Sequence, residues 1–380
     1  MVDLRMIDRA ECIALAGTEL ARKMSGVDGN IAIAAGTEAP WHGFANQVDA
    51  AAGYTAWLKA SGTDWTVSKQ RTRVVDGKVI PGRFAIVRDD TGVPLSTCGT
   101  GWTPFQNEQV AEFFQKYCDA GELTMDTFGS LHEGRYIWGL ASVGDAFRVG
   151  REDVVKGNVL FMNPHEAGKA AVIKHVALRT VCQNSLARGL GEDGLEIRIP
   201  HNLKFDDAMK RKAEATLKLS RDSLKQFAQV ADKLANTACT PDQADVFFKH
   251  VFQMGDTPDV LAAAIANTDM AAVAAAQAET DLLDQAILAT EGPEETRRRT
   301  SPVLVKLRES LLTGPGADMD GSKGTLWGAL NAVTHAIDHK LGKDADLRLR
   351  NAWFGYRADV KERAVEIANM AASGDLSLAA

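Results

Sequence analysis

Two imidazoles and a carboxylate lie close together near the C-terminus, in TLWGALNAVTHAIDHKLG, where Trp327, Asn331, His335 and His339 recur every fourth residue and Asp338 sits beside them. On an α-helix this spacing turns His335, Asp338 and His339 toward one side, an H-x-x-D-H set that could ligate a divalent cation. A zinc hydrolase of the related H-x-x-E-H type needs a glutamate long enough to reach metal-bound water, and Asp338 is one methylene shorter. The other histidines, His42, His132, His165, His175, His201 and His250, are scattered and designate no third imidazole. Helix packing is the competing role for this set. Cys182 lies near His165 and His175 in sequence, but a Cys–His pair is made in space rather than by spacing, and no G-x-S-x-G turn occurs. The segment GPGADMDGSKG places Lys323 after Ser322, the reverse of the order a phosphate loop requires. No cofactor is expected.

The second chemical signal is electrostatic. FMNPHEAGKAAVIKHVALRTVCQNSLAR, from Phe161 to Arg188, holds four Lys or Arg and two His, and no acid beyond Glu166. Lys169, Lys174, Arg179, Gln183, Asn184 and Arg188 are its candidate nucleic-acid contacts. From Trp65 to Arg88 six bases, Lys69, Arg71, Arg73, Lys78, Arg83 and Arg88, face one acid, Asp76. Strand alternation gives Lys69, Arg71 and Arg73 one parity, hence either a phosphate-binding track or a solvated outer face. Single-strand binding also needs aromatic platforms, for which Trp65, Trp102, Tyr136 and Trp138 are placed among the cations, with Arg135 adjacent; their alternative is the core.

These residues must be positioned by two different kinds of chain. WTVSKQRTRVV, GRFAIVRD and VPLSTCG, joined by Asp76-Gly77 and Asp90-Thr91-Gly92, predict a three-stranded meander. VAEFFQKYCDAG, with Thr103 or Asn107 as N-cap, predicts an amphipathic helix on that sheet. TMDTFGSL and RYIWGLASV predict a second hairpin with Tyr136 and Trp138 on one face; VLFMN and AAVIKHVALRTV add strands. After Pro200 the apolar period becomes helical: Phe205, Met209, Leu219, Leu224, Phe227, Val230 and Leu234 form one stripe, and Thr240-Pro241 and Thr257-Pro258 are helix starts. The expected fold class is α+β, an N-terminal antiparallel β-rich core with packed helices followed by a mostly α-helical C-terminal half. Its expected divisions are a flexible lead with a short helix over 1–38, the α+β core over 39–199, amphipathic and Ala-rich helices over 200–290, charged and Gly-rich linkers over 291–324, and a helical segment over 325–380.

Composition narrows the partners. The chain has 380 residues, 45% hydrophobic, and a formal net charge of -7, which opposes indiscriminate binding to polyanions and confines any such site to a local patch. Five dispersed cysteines without a C-x-x-C pair suit a reducing compartment. An N-terminus with interleaved charges, and no long apolar run, predict a cytoplasmic protein without a membrane segment.

APWHGFANQV, GWTPFQNEQVAEFF, GSLHEGRYIWGLA, the NPHEAGKAAV and ALRTVCQNSL block, and GTLWGALNAVTHAIDH with RLRNAWFG together resemble the phage/plasmid-like protein family that carries the domain of unknown function numbered 932. The resemblance covers about 39 to 357 and implies a bacterial mobile-element setting, where DNA replication, recombination, partner hijacking and defence evasion are the natural tasks. The expectation is a cytoplasmic homo-oligomer that binds single-stranded DNA and anneals complementary strands. A metal-dependent enzyme on the H-x-x-D-H helix and a host-factor-binding protein are the alternatives.

Overall fold

The computed structural model describes residues 4–7, 31–35, 45–49, 51–179, 185–186, 196–202, 222–254, 301–342, 348, 350 and 353–379. The larger of its two sheets has nine strands. They are β1 (Leu4–Ile7), β2 (Ile31–Ala35), β3 (Ala45–Asp49), then, after the smaller sheet, β7 (Thr124–Leu131), β8 (Tyr136–Val149), β9 (Asp153–Pro164), β10 (Ala170–Arg179), β11 (Ser185–Leu186) and β12 (Glu196–Pro200). The main path runs β11-β10-β9-β8-β7-β2-β3, with β1 on β8 and β12 on β10. All neighbours are antiparallel except β2 and β3. Residues 4–7 and 31–35, read from sequence as part of a loose lead, are therefore strands: the 14-residue β8 is long enough to pair with β7 over one half and with β1 over the other, and β2 pairs with β7 and β3. The short helix expected within this lead lies outside the described residues.

Helices α1 (Tyr54–Ala60) and α2 (Asn107–Asp119) cover one face of the large sheet, where Phe113 and Phe114 meet Phe161. Gly139 makes this approach feasible: a Cβ there would stand 2.6 Å from the Phe114 ring. Gln106 caps α2, exchanging hydrogen bonds with Gln109, where Thr103 or Asn107 was expected. The opposite face holds Tyr136, Trp138, Leu160, Met162 and Val176 under Trp353.

The smaller sheet is the expected meander, β4 (Val67–Arg73), β5 (Val79–Arg88) and β6 (Pro94–Cys98). Because β6 pairs only along Phe84–Val87 and Phe84 faces Arg71, residues 72–83 extend past it as a two-stranded ribbon with Arg71 at its base.

The described residues of the C-terminal half are mostly helical: α3 over 222–235, α4 (Pro241–Val251), α5 (Pro302–Thr313), α6 (Leu326–His335) running into a π-turn (Ala336–Lys340), and α7 (Tyr356–Ser373). Thr240 caps α4 with Pro241 at its first position, as expected. The expected linker over 291–324 contains α5, whose Leu304 and Leu307 are buried; apolar spacing outweighed the charge and glycine on either side. The start of the long 205–234 stripe and the Ala-rich tract lie outside the described residues. No helix among the described residues is long and apolar enough to cross a membrane.

Candidate functional site

The candidate cations separate by burial into two groups. On the ribbon, Arg71, Arg73 and Arg83 are exposed, and every residue from 73 to 79 is exposed. Arg73 donates to the Gly77 carbonyl at 2.8 Å, and Lys78 pairs with Asp76 at 3.0 Å. Arg71 and Arg83 form no ion pair among the described residues. Lys69 departs from the expectation: its ammonium donates to the carbonyls of Thr100 and Trp102, each at 2.8 Å, and lies 4.7 Å from the Phe84 ring centroid. A register shift between Arg71 and Arg73 also breaks the single parity on which a three-cation face depended.

Sequence reasoning missed the ribbon's apolar tip. Val74, Val75 and Val79 are exposed there, Val75 at 109%. The available signal was a pair of adjacent valines flanking a predicted Asp-Gly turn, a place where β-branched residues have nothing to pack against.

Lys174 and Arg179, expected as nucleic-acid contacts, are buried. Lys174 donates to the Trp353 carbonyl and lies 4.3 Å from the Phe354 ring centroid. Arg179 Nε lies 2.7 and 2.8 Å from the two Asp153 oxygens, and its NH2 group reaches the Gly316 carbonyl at 3.1 Å and Ser322 Oγ at 3.0 Å. Trp327 Nε1 donates to the same Asp153 at 2.8 Å. These groups latch the end of β10 to the 314–324 loop and α6, so their charge serves the fold. Gln183, Asn184 and Arg188 lie outside the described residues.

The expected stacking platforms are core. Trp65, Trp102, Tyr136 and Trp138 are all buried, Trp138 completely, in contact with Trp353 at 5.3 Å between ring centroids. Trp102 stacks on His201 at 4.9 Å, and the Arg88 guanidinium covers Trp65 at 4.1 Å. Partners supplied from distant parts of the chain convert what could have been surface rings into interior ones.

Three motifs from distant parts of the sequence meet at one end of the large sheet. Asn163 donates to the Phe105 carbonyl at 2.8 Å, His165 Nε2 lies 2.8 Å from Asn107 Oδ1, and Asn107 Nδ2 donates to the carbonyls of Thr63 and Trp65, each at 2.9 Å. NPHEAG thus pins GWTPFQN between the two sheets. Burial pushes His165 down to about 3, with His201 and Arg88 acting in the same direction, so its imidazole is neutral. The GSLHEGRY turn adjoins them: Arg88 donates to the Glu133 carbonyl at 2.9 Å, and His132 and Glu133 both have positive φ, 51° and 60°.

On the solvent side of this junction Tyr136 donates to Glu166, and Lys169 donates to the Tyr136 hydroxyl at 2.7 Å and stands 3.3 Å from Glu166. The Arg350 guanidinium lies 5.9 Å from the Tyr136 ring centroid, and Arg135 is exposed nearby in sequence. Burial raises the Tyr136 hydroxyl above its ordinary value, and its bond to Glu166 adds to this, so it remains a donor. Burial pushes the Glu166 carboxyl up, but Tyr136, Lys169 and Arg350 outweigh it and hold it below the usual range. Elsewhere the sheet buries Asp126, bonded to Asn158 at 2.7 Å; burial raises its carboxyl, opposed by Lys156 and Asn158. Tyr136, Lys169 and Arg135 were candidates from sequence, whereas the carboxylates of Glu166 and Asp126 were not.

The H-x-x-D-H set does not converge. His335 and His339 are neighbours, 4.9 Å between ring centroids, but Asp338 turns away to a buried ion pair with Lys361 at 2.8 Å. The π-turn that begins at Ala336 changes the helical phase assumed from the spacing. His335 Nδ1 lies 3.1 Å from Ser310 Oγ, and burial, then Lys340, pushes it down to about 4. Among the described residues no group of three or more His, Cys, Asp or Glu could hold a metal ion.

No curated protein and no solved structure matches the chain. A family model described as a domain of unknown function (DUF932) matches residues 94–368, from the first residue of β6 into α7, leaving the ribbon ahead of it and the motif junction within it. That span is well over half of the chain, and the chain belongs to the DUF932 family.

Proposed function

We propose that this protein binds single-stranded DNA through the ribbon of β4 and β5. The observation that carries this reading is the exposure of Arg71, Arg73 and Arg83 beside Val74, Val75 and Val79 on a chain whose net charge is -7. Arginines that engage phosphates release counterions and draw the strand in. Exposed valines among them supply apolar contact to base faces, which a single strand presents and a duplex hides within its stack. With the four candidate aromatics in the core, the valines take over the role assigned to stacking rings. In a phage or plasmid setting such binding would serve strand annealing in recombination or replication, with neighbouring copies in a homo-oligomer holding the two strands.

The test is fluorescence anisotropy of a labelled single-stranded oligonucleotide at low and near-physiological salt, with duplex DNA and single-stranded RNA as competitors. The expected result is salt-sensitive binding that duplex competes for poorly. Replacing Arg71, Arg73 and Arg83 with Ala should flatten the log–log salt dependence by about 0.7 for each phosphate no longer engaged. No binding at low salt, or unchanged binding by the triple variant, would overturn the reading.

A further inference from the structure

We propose that Lys169, Arg350 and the Tyr136 hydroxyl form a phosphate site, that the Glu166 carboxylate fills it in the free protein, and that a DNA phosphate displaces it. This rests on the single-strand reading above and names a second contact for the same strand.

A tyrosine hydroxyl and an ammonium converge on one carboxylate oxygen, with a guanidinium beside the same ring. Donors arranged around an anionic oxygen in this way suit phosphate as well as carboxylate. Two cations face one acid here, so the site keeps positive charge even with Glu166 in place. It is open to solvent: the Lys169 side chain is 44% exposed and that of Glu166 32%. Glu166, unlike Tyr136, is not held on a strand. It lies in the loop between β9 and β10, two residues before Gly168, whose φ of 84° marks a turn. The Tyr136 ring, by contrast, is fixed in the core at the start of β8, and its hydroxyl keeps its proton, so it would still donate once Glu166 moved.

The site is also connected to the ribbon. Arg88 at the base of β5 donates to the Glu133 carbonyl, Arg135 follows two residues later, and Tyr136 is next. The stretch of β5 from Arg83 to Arg88 spans about 17 Å at the usual strand rise, a distance a few nucleotides of extended strand can bridge. Acids along the way, Glu133 and the Asp90 that holds Arg88 at 2.8 Å, keep this path from being uniformly positive. A discrete phosphate site therefore fits better than a continuous basic groove.

The experiment compares wild-type protein, Glu166→Gln and Glu166→Gln with Lys169→Ala in the same anisotropy titration. Glu166→Gln keeps an acceptor for Tyr136 but removes the competing charge. Single-strand affinity should rise roughly three- to tenfold at low salt, with a salt slope steeper by about 0.7, and the added Lys169→Ala should cancel both changes. Glu166→Ala repeats the test should the Gln variant fail to fold. If Glu166→Gln binds as wild type does while the ribbon variant loses affinity, the phosphate site is wrong and the ribbon reading stands. If wild type binds no DNA, inorganic phosphate is the probe. A rise in melting temperature with millimolar phosphate, larger for Glu166→Gln than for the double variant, then supports the site without the ribbon, and equal rises overturn it.

Discussion

Arg71 and Arg179 each lie in the C-terminal part of a strand, each in a locally basic stretch of sequence, and the fold gives them opposite work. Arg71 stands on a ribbon whose tip is exposed from 73 to 79, and it has no ion-pair partner among the described residues. Arg179 is closed into the interior with Asp153, their side chains 2% and 0% exposed. The difference lies in what the rest of the chain brings to each. The 314–324 loop and Trp327 arrive from more than 130 residues away to enclose Arg179, whereas β6 ends level with Arg71, at Cys98 opposite Phe84, and the ribbon beyond it is exposed from 73 to 79. A basic residue thus reports a surface only after its distant neighbours are known.

The comparison breaks most visibly at the latch. Arg179→Met should leave Asp153 buried without its cation and reduce unfolding free energy by about 3–5 kcal/mol. Urea denaturation would register this as a lower midpoint, and single-strand affinity of the folded fraction should be unchanged. A loss near zero would mean that Trp327 alone satisfies Asp153.

A second large effect is set by pH. Burial pushes His165 down to about 3 and His175 to about 4, while the unfolded chain titrates these groups near about 6.5. Below that point the unfolded state binds more protons than the folded state, so stability falls as the pH drops from about 6.5 toward each folded value and does not change through these groups above it. Each histidine contributes a slope of about 1.4 kcal/mol per pH unit within its window. Urea midpoints between pH 4 and 7, compared with those of His175→Leu, should show one proton's worth of slope removed. Undiminished slope would place protonation elsewhere.

On the ribbon the pattern reverses. Replacing Arg71, Arg73 and Arg83 with Ala should leave the unfolding free energy within about 0.5 kcal/mol of wild type, as exposed substitutions usually do, while weakening single-strand binding. A stability loss comparable to that of Arg179→Met would show that the ribbon packs against something.

Where local pattern decides, the sequence was informative. The meander and the β7–β8 hairpin follow from alternation and from Asp-Gly and Gly turns, and Thr240-Pro241 starts a helix because a cap and a fixed φ suffice. The site was less legible because its identity depends on tertiary partners. Nothing near Trp138 indicates Trp353, and nothing near Asp338 indicates that Lys361, rather than a metal, takes its carboxylate. NPHEAG stood out in sequence by composition, but its role in fixing GWTPFQN required the contacts of Asn163 and His165.

The smallest expected effect tests the feature most specific to the ribbon. Val75 is fully exposed and makes no core contact, so Val75→Ser removes apolar surface without altering charge or packing. A contact made only in the complex should then weaken single-strand binding by about 0.5–1 kcal/mol, the value of a methyl-sized patch removed from water. The salt slope should not move, because every phosphate keeps its arginine. This separates the two parts of the ribbon: the arginine variant changes the slope, and the valine variant shifts affinity at constant slope. If Val75→Ser changes neither, phosphate attraction alone remains, and an electrostatic ribbon has no reason to prefer a single strand over a duplex of higher charge density. The valine variant thus decides whether strand preference resides at the tip, and its expected effect is about two- to fivefold in dissociation constant, by the conversion of about 1.4 kcal/mol per tenfold.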